Sequence, residues 1–429
     1  MKQRIKNIYN TFYKDNIIVN RFAKVFSVDV IVRSANFLLL PVFLFLMSKE
    51  DVGSYNYYYS MVFSLSFIFN LGLYVGLTKL FHDYSGAKEK GELVFTINIC
   101  LLSFMVFVFL FFLLTKFDID LSILLKFNNY SQYRLYIFIA LFAMVFNNLL
   151  AQYFITSEKI RNLQLYNISR MFAVNIIVIS ILYLSDSDKV ITRLLLTYIT
   201  ELIVLIIFYI FCIKNMYFKF NFEMMQRALK IGLPLMIGAI FSAFINFGDK
   251  YFVEKFCGDA NNAVYTTAIQ YSTILLVVTT SFQSIWMPLF MKEKDLKILK
   301  RKTNKNAKLL AIIFTFISLL ILVVLKIALV LNLIPISYSE IINIMIISLP
   351  AYILVMLVGL YGNYFVYFEK THTITAVGII TSVLSIPLYY FFIKNWGYYG
   401  AAFTLLIINF ITFLFYYYRS RYYINNRIN

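Results

Sequence analysis

At 429 residues, with 61% hydrophobic and only 14% charged positions, the chain is too apolar for an ordinary water-soluble domain. Its formal net charge of +18 would suit a nucleic-acid binder, but the cationic residues alternate between short loops instead of forming one patch. That distribution excludes nucleic acid as the partner and fits a membrane topology with basic cytoplasmic segments facing anionic lipids. Apolar runs of about eighteen residues or more recur throughout, each long enough to cross a bilayer as a helix, whereas a membrane β-barrel would show alternating segments of about ten.

The N-terminus, MKQRIKNIYNTFYKDN, is basic. The apolar run that follows, Val25 to Met47, is too long for a signal-peptide core and lacks a small-residue cleavage site, so it reads as a retained first membrane helix. Twelve spans are expected, over 22–47, 53–79, 92–115, 132–156, 163–185, 190–213, 229–253, 262–290, 307–332, 340–367, 372–393 and 397–418. The fold class is therefore an all-α polytopic membrane protein. With both termini inside, 27 of the 39 Lys and Arg residues fall in cytoplasmic segments, ten in outer loops and adjoining helix ends, and Arg33 and Arg170 within spans. The most polar connection, Lys292 to Lys308, is cytoplasmic, and no loop is long enough to fold by itself.

Cys100, Cys212 and Cys257 stand in or beside apolar runs at no metal-like spacing, and His82 is far from His372. Neither a disulfide framework nor a metal centre is expected. There is no Walker-type phosphate loop and no Ser–His–Asp grouping, so neither an enzyme nor a cofactor is expected.

An internal repeat organises the spans. Sliding the chain by 210 residues superposes Asn36-Phe37 on Asn246-Phe247, Tyr55 on Tyr265 and Leu65 on Leu275, and lays the sixth span over the twelfth. Six helices repeated make a parallel repeat about an axis along the membrane normal. The chain is thus expected to divide into two six-helix halves, 1–214 and 215–429, around a central cavity, a layout that suits an alternating-access carrier better than a channel.

Ionisable residues within spans are functional candidates, because each costs about 2.5–3.5 kcal/mol on insertion scales. Asp29 and Arg33 are four apart, acid first, and share a helix face. They either neutralise one another so that a polar first helix inserts, or turn Arg33 into a lumen where its guanidinium can hold phosphate bidentately. Asn246, Asp249 and Lys250 occupy i, i+3 and i+4 of the seventh span. Either Lys250 snorkels outward while Asp249 caps the helix end, or their common face lines the cavity. Arg170 lies in the fifth span with Asn167 and Asn175. Glu201 stands mid-span in the sixth and is read as its only charge, Arg193 being counted with the outer helix end. At that depth Glu201 is either a proton carrier or the hydrogen-bonded partner of Arg170 or a tyrosine. Lys79, His82 and Asp83 read as cytoplasmic anchors, and Gly232-Leu233-Pro234 as a hinge opening the seventh span.

Three stretches carry a resemblance: GLPLMIGAIFSAFINFGDKYFVEKFCGDANNAVYTTA from Gly232, Asn70-Leu-Gly-Leu-Tyr-Val-Gly-Leu77 to Phe81-His82-Asp83, and Trp396-Gly-Tyr-Tyr-Gly-Ala-Ala402. With twelve spans and basic termini, the chain resembles the polysaccharide flippases, the Wzx-like O-antigen exporters of the multidrug/oligosaccharidyl-lipid/polysaccharide superfamily. The resemblance implies a carrier in the bacterial inner membrane that turns an undecaprenyl-pyrophosphate-linked oligosaccharide, an O-antigen or capsular repeat unit, from the inner to the outer leaflet. It also implies coupling to a proton or sodium gradient, contact with membrane lipids, and work beside a polysaccharide polymerase. The substrate-binding lumen carries to Arg33, Arg170 and Lys250, with Asn246 on the last one's face. Ion coupling carries to Asp249 and Glu201, with Asp29 beside Arg33. The family often has Arg directly after the seventh-span Asp; Lys250 cannot form the planar fork. The alternatives are a multidrug or other small-molecule antiporter of the same fold, and a membrane glycosyltransferase or O-antigen polymerase, for which Glu50-Asp51 would supply the acidic motif but no long external loop exists.

Overall fold

The computed structural model describes residues 35, 37–114, 130–185, 187–214 and 216–428, and the described residues contain helices and no strand. Asp29, Arg33 and Asn36 lie outside them. In order the helices are α1 (Phe37–Leu46), α2 (Lys49–Phe69), α3 (Leu73–Asp83), α4 (Ala87–Leu114), α5 (Tyr130–Thr156), α6 (Ile160–Leu184) and α7 (Lys189–Ile213). There follow α8 (Phe222–Cys257), α9 (Asp259–Ser272), α10 (Ile274–Lys292), α11 (Leu296–Val330), α12 (Ile341–Tyr367) and α13 (Thr371–Ile428).

Among the described residues eight helices are long and apolar enough to span a bilayer, or up to ten when each bent pair counts as one span. The expected twelve differ from this for local reasons. Only the end of the first span, α1, is described, and the last two form one helical stretch reversed at Gly397 (φ 57°). At that turn a Cβ on Gly400 would stand 2.1 Å from the Phe392 carbonyl oxygen, so the chain doubles back closely on itself. Two connections expected as loops are helical. Asp295 caps α11 by accepting from the Lys297 and Ile298 amides, and Asn221 caps α8 at the Met224 amide. Lys, Leu and Arg are good helix formers, so both helices begin in the basic segments before the apolar runs.

The second and seventh spans are broken. α2 and α3 meet at 42° and α8 bends by 40° between Phe222–Pro234 and Gly238–Cys257, at the expected hinge. The breaks fit together. Leu71 and Gly72 adopt left-handed conformations (φ 53° and 67°), and a Cβ on Gly72 would lie 2.2 Å from the Gly232 carbonyl oxygen. Backbone packs on backbone there, which only glycine allows. Further along, α2 packs on α8 and α9, where Asn56 Nδ2 donates to Thr266 Oγ1 at 2.9 Å and Asn262 Nδ2 to the Gly53 carbonyl at 3.1 Å.

The outer surface is apolar. α11 exposes Ile312, Phe316, Leu319, Val323, Ile327 and Val330, while Ala307, Leu310, Phe314, Ile321 and Leu325 are buried on its other side. A continuous exposed apolar face of that length belongs against lipid tails.

Candidate functional site

A cavity of about 460 Å³ opens between α1, α2, α6 and α7, closed on the far side by Gln270, Thr273, Ile274 and Val277 of α9 and α10. Helical periodicity builds its charged wall. Arg193, Thr197 and Glu201 recur every four residues along α7, and Asn167, Arg170, Met171 and Val174 form the facing stripe of α6.

Glu201 is held from two sides. The Asn147 amide of α5 donates to its Oε2 at 2.7 Å, and Arg170 Nε stands 3.8 Å from its Oε1. The Tyr166 hydroxyl donates to the Asn147 carbonyl oxygen, and its ring lies under the Arg170 guanidinium at 5.8 Å. Glu201 thus stands beside Arg170, an arrangement compatible with both sequence readings of it. Arg170 keeps 34% of its side chain exposed against 14% for Glu201, so a cavity ligand meets the arginine first.

Arg193 is the residue that the sequence reading left among the outer charges. It is 9% exposed and sandwiched between the rings of Tyr55 and Phe43, with centroids 3.8 and 4.0 Å from its guanidinium carbon, and donates to Met47 Sδ at 3.4 Å. Among the described residues no carboxylate lies within ion-pair distance of it. Its four-residue spacing from Thr197 and Glu201 was the available signal. The lining thus carries two arginines and one glutamate, a surplus of one positive charge.

The second cluster lies apart from this cavity. Asp249, 4% exposed, accepts from the Tyr265 hydroxyl at 2.8 Å and pairs with Lys250 Nζ at 3.0 Å. Lys250 also donates to the Asn246 backbone carbonyl at 2.8 Å, while the Asn246 side chain is exposed. Asp249 and Lys250 are absent from the lining of the arginine-bearing cavity, and Lys250 bonds back along its own helix. Tyr55 and Tyr265, superposed by the repeat, have opposite partners: a cation for Tyr55 and an anion for Tyr265. No group of three or more metal-ligating residues occurs among the described residues.

The architecture is shared with solved transporters. An inward-facing multidrug resistance MATE family transporter of the MOP superfamily superposes with a TM-score of 0.69 at 13% identity, over 92% of this chain and 98% of its own. The lipid II flippase MurJ, in an inward closed conformation, gives 0.71 at 16% identity over 92% of this chain and 87% of its own. A MOP superfamily transporter from Pyrococcus furiosus, whose reversed pocket polarity suggests a different function for that protein, gives 0.64 at 15% identity, covering 94% and 95%. None of the curated protein sequences is significantly similar. The chain shares the fold of these multi-pass membrane proteins, and its described residues include eight helices long and apolar enough to cross a bilayer. The polysaccharide biosynthesis protein family matches residues 19–294, and the chain belongs to that family. A member of the polysaccharide biosynthesis protein family thus carries the fold that solved MATE transporters and the MurJ flippase share.

Proposed function

We propose that the chain is an inner-membrane flippase for an undecaprenyl-pyrophosphate-linked oligosaccharide, working by gradient-coupled alternating access between halves 1–214 and 215–429. The observation that carries this reading is the arginine-rich cavity in a protein of polysaccharide biosynthesis. A pyrophosphate needs cationic donors in a sheltered place, and Arg170 and Arg193 supply them from facing helices. From the sequence alone, Arg33 of the first span is proposed as a further head-binding cation, with Asp29 four residues before it as counter-charge. Neutral Asn56, Asn167 and Gln270 suit sugar hydroxyls. The prenyl tail stays in lipid, because only the head is costly to move through hydrocarbon.

Two halves are supported by Asn56 and Thr266, which are 210 residues apart and hydrogen-bonded. A residue touches its own repeat-mate only beside the axis relating the two. With the termini cytoplasmic, a potential negative inside drives an anionic head outward by about 2.3 kcal/mol per charge per 100 mV. Glu201, and in the other half Asp249 with Lys250 and Asn246, are the proposed ion-coupling and head-binding groups. The pocket argues against a drug antiporter through its arginines, since drug cavities favour aromatics and acids. A strain lacking its flippase and accumulating inner-leaflet lipid-linked glycan tests the reading. Expression of this chain with the cognate glycan genes should restore surface glycan, and failure there would sink it.

A further inference from the structure

A second, uncharged cavity of about 220 Å³ lies between the second and fourth spans, lined by Asn70, Tyr74, Asn148 and Gln152 with Phe67 and Ile155. Beyond its lining the polar groups continue as two ladders: from Asn70 at the helix break through Tyr74 to Thr78 on α3, and from Asn148 through Gln152 to Thr156 on α5, each at a spacing of four residues. Gln152 Nε2 donates to Thr78 Oγ1 at 2.8 Å, Thr78 and Thr156 hydroxyls lie 3.1 Å apart, and Asn70 Nδ2 donates to the Val145 carbonyl at 3.3 Å. The Asn148 amide is exposed.

Side-chain bonding between helices alone would close such a seam, yet space remains. At about 30 Å³ per water the cavity holds roughly seven, and three amides and a phenol give them partners. Lipid tails filling it would strand those groups, each at a cost of several kcal/mol. The ladder descends eight residues from Asn148 to Thr156, about 12 Å of helix, close to the half-thickness of a hydrocarbon core of about 30 Å. Its upper end adjoins Glu201: Asn147 turns its amide onto the carboxylate, and Asn148, roughly 100° round the helix, faces the cavity.

We propose that this seam is a water-filled half-channel that delivers protons from the cytoplasmic face to the Asn147–Glu201 pair. The inference rests on the proposed orientation and deepens the coupling role of Glu201, but it does not depend on which head the carrier moves. The head travels through the arginine-lined cavity, while the proton has its own neutral path on the other side of α5.

Thiol accessibility tests it. Asn148→Cys and Gln152→Cys are introduced separately after Cys100, Cys212 and Cys257 are changed to Ser, with Leu149→Cys, a fully packed neighbour, as the control. A membrane-impermeant cationic methanethiosulfonate should modify both seam cysteines in inside-out vesicles at least an order of magnitude faster than the control, and neither in right-side-out vesicles. A water-soluble carbodiimide should then modify Glu201 from the cytoplasmic side, and prior thiol modification at Gln152→Cys should block that reaction. Unreactive seam cysteines in correctly inserted protein, labelling only from outside, or carbodiimide modification unaffected by the block would each overturn the proposal. Export failure with normal labelling would instead count against the flippase reading and leave the half-channel standing.

Discussion

Glu201→Gln isolates what the Arg170–Glu201 pair does. The charged atoms are 3.8 Å apart, and two unit charges at about that distance attract by about 4 kcal/mol at an effective dielectric near 20. Arg170 is one-third exposed, and solvent screening at that exposure leaves about 1–2 kcal/mol. Glutamine keeps the shape and still accepts from Asn147, but it frees the arginine. An anion then meets Arg170 without a competing carboxylate, so inorganic pyrophosphate should bind the variant about tenfold tighter at neutral pH. Protonation of Glu201 achieves the same release in the wild type. Lowering the pH should therefore narrow the gap between the two proteins, and the ligand's own protonation cancels in that comparison. Linkage makes the effect reciprocal: the anion and the proton favour each other's binding. The proton then accompanies the head, and the membrane potential drives the remaining negative charge outward. Calorimetric titration of detergent-purified protein with pyrophosphate at two pH values measures all of this. Equal or weaker binding by the variant, or a gap that does not close at low pH, refutes the competition. In liposomes the same variant should lose part of its dependence on an imposed pH gradient.

Arg193→Lys keeps the charge but not the flat face that stacks between Tyr55 and Phe43. Pyrophosphate affinity should fall about tenfold, the worth of one sheltered cation–π sandwich, with membrane levels unchanged; unaltered affinity would show the stack to be packing only. Arg33→Ala and Lys250→Ala should each abolish glycan export at normal protein levels, and wild-type export would return those residues to topology. Gly232→Ala places a Cβ 2.5 Å from the Leu71 carbonyl oxygen, so the purified protein should lose about 1–3 kcal/mol of stability, read as a lower melting temperature. An unshifted melt would mean that the two broken helices do not pack through their backbones.

Most of the membrane path was legible because hydrocarbon imposes one rule, long apolar runs with satisfied backbones, and the chain obeys it openly. What hid from the sequence hid for physical reasons. The basic segment at Leu296–Lys308 looked like a loop by polarity, yet lysine and leucine prolong a helix beyond the bilayer without cost. Arg193 is only the fifth residue of α7, where positive charge normally serves topology; its aromatic sandwich comes from α1 and α2, which no local pattern reveals. The Asp249–Lys250 pair was conspicuous as charge in an apolar run. Its partner Tyr265, sixteen residues on and past a turn, draws Asp249 into the packing of α8 on α9.

On the proposed two-half reading, the repeat accounts for an arginine-rich cavity built on one side. At the 210-residue offset Arg170, Arg193 and Glu201 fall on Ile380, Phe403 and Ile411, which are exposed apolar side chains. Asp249 and Lys250 fall on Leu39 and Leu40. Neither half repeats the other's charges, although both keep the tyrosine at 55 and 265. A symmetric scaffold can open to either face only if its two halves pack equivalently, whereas an anionic head must be gripped by donors at one place. Placing the cavity's arginines in a single half meets both demands. It avoids desolvating a second set of arginines, and it leaves Ile380, Phe403 and Ile411 free to face lipid.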